Sequence, residues 1–208
     1  MQHDPRFGQI DPADYVRAAR EGSRAEQIFH ASRLRLLARA TPTAGRAVLD
    51  VGSGTGVLAL ELAKDAAVTA VDLSPQHIAD LEAYAAQAGV EVTGVVASAA
   101  ELPFEDDRFD VVHLASVVHL VPEPGPLLRE AERVCRRDGR IVVAGPWRFH
   151  PKSSRRVKRL LGKTVETTTQ PFSREFVEQR MLRSRLVDEH TDRLMGYVVT
   201  VWEPSRKP

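Results

Sequence analysis

From residue 47 onward, short apolar, β-branched runs alternate with stretches of helical spacing, the pattern of βαβ units laid into a mostly parallel sheet. Ala47–Val51, Val68–Asp72, Val92–Ala97, Asp110–Leu114 and Arg140–Ala144 read as strands. Helices are predicted over Val57–Lys64, over Pro75–Ala88 with Ser74 as its cap, and over Pro126–Arg136, with a turn at Asp138-Gly139 before the fifth strand. Upstream, the spacing of Ile28, Leu34, Leu36 and Leu37 predicts helix from about Arg17 to Ala40, divided near Gly22. Downstream, Ser173 caps a helix reaching about Arg185, and Leu186–Thr191 and Tyr197–Trp202 are placed to pair as an antiparallel hairpin. The expected class is α/β.

Composition changes this picture little. The 208 residues are 43% hydrophobic and 27% charged, the balance of one ordinary folded domain spanning 1–208. A formal net charge of +1 asks for neither a nucleic-acid partner nor an anionic membrane. The charge is uneven, however: residues 148–163 hold seven Lys or Arg and no acid, leaving the rest at −6. Val157, Leu160 and Leu161 lie on one side of that segment, which reads either as a solvated helix face or as a surface drawing an anionic or carrier-bound substrate. With no apolar run near the ~20 residues of a membrane span and no signal-peptide order at Met1–Arg6, a cytoplasmic location is expected. Cys135, the only cysteine, excludes an internal disulfide, and its helical neighbours make it a small core residue. The histidines are scattered, so no metal site is expected.

Candidate chemistry begins at Asp50-Val51-Gly52-Ser53-Gly54-Thr55-Gly56, where alternate glycines turn a buried strand into a helix. Bare backbone there approaches a ligand closely, and the helix start offers unpaired N–H donors. By itself such a loop also fits a dinucleotide or a phosphate. Asp50 distinguishes it, because a carboxylate at the loop repels a pyrophosphate and favours an ammonium or a water network. Sixteen residues after Gly56 comes Asp72, at a strand end where it can accept hydrogen bonds from both ribose hydroxyls. Either acid alone would read as a strand-end cap; together with the glycine loop they read as a nucleoside site.

These residues are similar to the motifs of the class I S-adenosylmethionine-dependent methyltransferases, in the small-molecule subfamily. Asp50–Gly56 resembles the acidic-Gly-x-Gly-x-Gly loop, and Val71–Pro75 the ribose-binding strand end. Ser98–Phe104 with Phe109–Val112 resembles the adenine-side loop and fourth strand, and Leu127–Val143 the helix and fifth strand that complete the set. The resemblance implies a Rossmann-like three-layer sandwich: a seven-stranded, mostly parallel sheet with an antiparallel C-terminal strand, and a helical cap over 1–43. Residues 44–147 would form the cofactor-binding core, and 148–208 a substrate-side insertion and hairpin.

It further implies that Gly52, Ser53, Gly54 and Gly56 pass beneath the methionine and ribose of S-adenosylmethionine, with S-adenosylhomocysteine as product. Asp72 would hold the ribose, Leu73 pack on the adenine, and the Ala99 backbone meet its edge. Ser98 departs from the family, which places Asp there to accept a bond from the adenine amino group. Losing the charge-assisted share costs roughly 1 kcal/mol. Methyl transfer needs the acceptor aligned about 3 Å from the methyl, water excluded, and sometimes a proton removed.

The pocket is expected beyond the fourth and fifth strands. There Ala115 and Ser116 face the methionine, and His119 and His150 are the candidate bases. His119 reads equally as part of a structural turn, and His113 as a core residue. Trp147 and Phe149 offer an aromatic wall, and Tyr15 and Phe29 are candidate cap aromatics. The expected acceptor is a small molecule. Two other readings stay open: same-fold chemistry without methylation, as in a cyclase or decarboxylase, and a nicotinamide-dependent reductase. The reductase is disfavoured because Val57 replaces the last glycine of Gly-x-Gly-x-x-Gly.

Overall fold

The computed structural model describes residues 24–146, 173–192 and 197–205. Helix α1 (Arg24–Ala40) leads into β1 (Ala47–Val51), α2 (Val57–Leu62), β2 (Ala67–Asp72), α3 (Pro75–Ala88) and β3 (Val92–Val96). The chain then returns through β4 (Phe109–Ala115), a 3-10 turn at Val118–Leu120, α4 (Gly125–Val134), β5 (Cys135–Pro146), α5 (Arg174–Glu178), β6 (Ser184–Asp192) and β7 (Tyr197–Pro204). The seven strands form one sheet in the order β3-β2-β1-β4-β5-β7-β6. β1 to β5 run parallel, while β7 lies antiparallel between β5 and β6.

Both faces of the central strands are covered, which explains their nearly continuous apolar runs. On one face Leu49, Val71, Val112, Leu114 and Val143 pack with Leu127, Leu128 and Ala131 of α4. On the other, Val48, Ala70, Val111 and Val142 pack with Leu37 of α1, Leu58 of α2 and Leu81 of α3. The three-layer sandwich, the mostly parallel sheet and the antiparallel C-terminal hairpin all agree with the sequence. Chain order reverses between β1 and β4, so the crevice at their carboxyl ends is the switch point where ligands settle in such sheets.

Two boundaries differ from expectation. β5 starts at Cys135, directly after α4, rather than beyond a turn at Asp138-Gly139. Phe109 pairs with Cys135 and Val111 with Arg140, so residues 136–139 bulge opposite Asp110 alone. Arg136 forms an ion pair with Asp110 across that bulge. Cys135 is buried as expected, but on a strand rather than a helix, and desolvation pushes its thiol up to about 12.

The helix capped by Ser173 ends at Glu178 instead of near Arg185. The Glu132 carboxylate of α4 accepts the N–H groups of Leu182 at 3.3 Å and Arg183 at 2.8 Å. Those are the donors a continuing helix would direct at Glu178 and Gln179. Their capture by α4 turns the chain into β6.

Candidate active site

Among the described residues, the glycine loop, Asp72 and the segments after β3 and β4 lie at the carboxyl edge of the sheet. β1 ends at Val51, and the loop folds over β2, with Gly52 N–H and Ser53 N–H both donating to Val71 C=O, at 2.8 and 3.0 Å. A Cβ on Gly52 would sit 2.5 Å from Val117 Cγ2, and one on Gly56 would sit 2.6 Å from Leu81 Cδ1. Side chains from the chain after β4 and from α3 therefore press on the loop from below. All three glycines are left-handed, at φ +68, +55 and +86, but only at Gly54 would a Cβ meet nothing within 4 Å. The Ser53 hydroxyl turns onto Gly54 C=O at 3.4 Å.

Asp72 ties this bend to the next strand. Its Oδ2 accepts Gly54 N–H at 2.9 Å, its Oδ1 accepts Ser74 N–H at 3.0 Å, and His77 Nδ1 lies 3.0 Å from Oδ1. Ser74 caps α3 by accepting His77 N–H at 3.3 Å, which holds both groups beside the carboxylate. Leu73, next in the chain, is 62% exposed, a large apolar side chain left in solvent.

Ala97 N–H donates to Asp72 C=O at 3.1 Å and brings the Ser98 loop alongside. Ser98 Oγ accepts Ala100 N–H at 3.2 Å, so one of its two lone pairs is engaged locally.

Asp50 lies beneath the loop rather than at its surface: it is 2% exposed, with Oδ2 lacking a hydrogen-bond partner among the described residues. Desolvation pushes its carboxyl up to about 7, opposed by the Arg33 charge and reinforced by that of Asp72. Its register partner on β4 is His113, which is fully buried and lowered to about 4 by desolvation.

Ala115 closes β4. Ser116 follows in a left-handed conformation, φ 65, with its N–H on Ala144 C=O at 2.8 Å and its hydroxyl 2.9 Å from the Tyr197 hydroxyl. A non-glycine residue there is strained, as is common where a ligand is handled. His119 sits in the 3-10 turn, 6% exposed, and burial lowers it to about 4. Tyr15, Trp147, Phe149, His150 and the basic segment 148–163 lie outside the described residues, as does the Phe29 side chain. Among the described residues, no group of three or more His, Cys, Asp or Glu is gathered for a metal ion.

A family model described as a methyltransferase domain matches residues 49–143, from β1 to β5. A phosphatidylethanolamine N-methyltransferase of Cereibacter sphaeroides is 31% identical over 166 residues, covering 74% of this chain and 81% of that protein. The chain belongs to the class I S-adenosylmethionine-dependent methyltransferases. An uncharacterized protein of Mycobacterium tuberculosis is 40% identical to this family member over 109 residues, 52% of the chain, but the match spans only 40% of that protein's length. In three dimensions the PH0226 protein of Pyrococcus horikoshii has the same fold, with a TM-score of 0.76 and 19% identity over 98% of this chain and 100% of that one.

S-adenosylmethionine is the family's cofactor, and the residues present fit it: an unobstructed bend at Gly54, an apolar shelf at Leu73, and a buried carboxylate oxygen on Asp50 with no partner of its own. In this class I family member, sequence reasoning missed Arg33, His77 and Tyr197. Arg33 and Tyr197 come from α1 and β7, far from any motif, and the Arg33 guanidinium lies 5.9 Å from the Tyr197 ring centre. His77 alone carried a signal, since it stands in the first turn of the helix opened by the Asp72 segment.

Proposed function

We propose that this protein transfers the methyl group of S-adenosylmethionine to a small-molecule acceptor. The observation that carries the proposal is the 2.9 Å bond from Gly54 N–H to Asp72 Oδ2 at the sheet's switch point, which draws the open bend and the strand-end acid to a common edge. Gly52, Ser53, Gly54 and Gly56 form the floor under the methionine and ribose, and Asp72 accepts from the ribose hydroxyls. Leu73 packs on the adenine, Ser98 Oγ accepts from its amino group through the remaining lone pair, and Ala99 N–H meets its edge. Asp50 and the Ala115 end of β4 face the methionine, where the ammonium is the charge Asp50 favours.

When bound, the cofactor supplies a methyl group already activated by a sulfonium. The chain's own work is to orient the acceptor, exclude water and accept a proton where the acceptor carries one. His119 and His150 are assigned as proton acceptors for acceptors that need one. His119 is neutral at pH 7, as a base must be, but at about 4 it is a weak one. The relative named phosphatidylethanolamine N-methyltransferase supports an acceptor of small-molecule class.

The test is incubation of the purified protein with methyl-labelled donor and fractionated small-molecule extract. Label in a small-molecule product, lost in Asp72→Ala, is the expected result. No labelled product from the small-molecule fractions, with label appearing only when protein or RNA fractions are supplied in their place, would refute the acceptor class. A changed extract component carrying no label would favour cyclisation or decarboxylation on the same cofactor.

A further inference from the structure

Two side chains of α4 hold the segment that follows β3. Glu130 Oε2 accepts Leu102 N–H at 2.7 Å. Arg133 donates through Nη2 to Leu102 C=O at 3.0 Å and through Nη1 to Phe104 C=O at 2.7 Å. The guanidinium is itself fixed by Glu130, with Nε on Oε1 at 2.8 Å and Nη2 on Oε2 at 2.7 Å. Both backbone polar groups of Leu102 are thus taken by an Arg–Glu pair one helical turn apart, and its side chain is buried in the core. The pair is tightly coupled: hydrogen bonding from Arg133 holds the Glu130 carboxyl below the usual range.

At the segment's other end, Ala97 N–H is anchored on Asp72 C=O, and Ser98 C=O accepts Glu101 N–H at 3.0 Å. Between these two anchors lies Ser98-Ala99, and the Ala99 N–H donates to no group among the described residues. Local bonds shape this turn, with Ala100 N–H on Ser98 Oγ and Glu101 N–H on Ser98 C=O, and the clamp at Leu102 and Phe104 fixes where the turn as a whole sits against α4.

We propose that Glu130 and Arg133 are positioning residues for the nucleobase: by gripping Leu102 and Phe104 they set the Ser98-Ala99 edge that distinguishes a 6-amino purine from its 6-oxo counterpart. The inference rests on the reading that Ser98 and Ala99 meet the adenine. A 6-amino purine presents a donor to Ser98 Oγ and a bare N1 to the Ala99 N–H. A 6-oxo purine carries a proton on N1, which would face that N–H donor to donor.

The test is calorimetric titration of the full chain with S-adenosylhomocysteine and with S-inosylhomocysteine. It compares the wild type with Arg133→Lys, which cannot fork onto two carbonyls, with Glu130→Gln, and with Asp106→Asn as control. Asp106 touches the same guanidinium at 2.9 Å from the solvent side, outside the grip on Leu102. Circular dichroism establishes that each variant is folded. Both clamp variants should bind S-adenosylhomocysteine about tenfold more weakly, with the preference over the inosyl analogue shrinking toward one, while the control stays within about twofold. A merely structural role would lower the melting temperature and leave that preference intact, so folded clamp variants with wild-type affinity and preference overturn the proposal. Wild type binding neither nucleoside would sink the cofactor assignment of the site itself.

Discussion

Asp50 sits beneath the glycine loop with its carboxyl raised from 3.8 to about 7, chiefly by desolvation. An acid whose folded pKa lies above its unfolded one stabilises the fold fully below about pH 4, and that contribution is lost as pH rises through about 7. At pH 8 the buried carboxylate therefore costs the cofactor-free protein on the order of a few kcal/mol. Asp50→Asn should melt several degrees higher than wild type at pH 8, equally at pH 4, and bind S-adenosylmethionine more weakly. A variant no more stable at pH 8 would show that Arg33 compensates the charge in full. Ser98 yields a second expectation at this scale. Aspartate in its place can still accept Ala100 N–H and adds charge toward the adenine amino group, so Ser98→Asp should tighten S-adenosylhomocysteine binding by roughly 1 kcal/mol in calorimetry. A large loss would put the adenine elsewhere.

Among the elements, the β5 bulge makes a definite demand on Gly139. A Cβ there would lie 2.7 Å from Asp110 O, 2.7 Å from Cys135 Sγ and 2.9 Å from Arg136 O, and two of those atoms are backbone. Gly139→Ala should lower stability by about 1–3 kcal/mol in denaturant melts, with no direct effect on the cofactor edge; an unchanged midpoint would mean the bulge yields freely. The sequence carried β1 to β4, α2, α3 and the C-terminal hairpin within a residue or two, because each is written in its own apolar period and caps. It misplaced the start of β5 and the end of α5, because those are decided by distant partners, Phe109 and Asp110 in one case and Glu132 in the other. The site divides the same way. Gly52–Gly56 and Asp72 were legible from local chemistry, whereas the Ser116–Tyr197 contact joins residues 81 apart and leaves no trace in either segment.

Among the described residues, the most deeply buried titratable groups shape the response to acid. His113 and His119 are both lowered to about 4 by desolvation, so the stability of their neutral forms is present above about pH 6.5 and lost as pH falls through about 4. Asp50 works in the opposite sense over the same window, one group against two. The melting temperature should therefore fall between pH 6.5 and 4.5, and His113→Leu should flatten that fall; a temperature that rises across the window would contradict it. At this scale the bend at Gly54 and the carboxylate of Asp72 are proposed to make one seat for a sulfonium nucleoside. Calorimetric titration of S-adenosylhomocysteine into wild type and Asp72→Asn tests it most directly. Saturable one-site binding to wild type and at least tenfold weaker binding to the folded variant are expected. No heat and no thermal shift with wild type, or equal affinity in both, would contradict it.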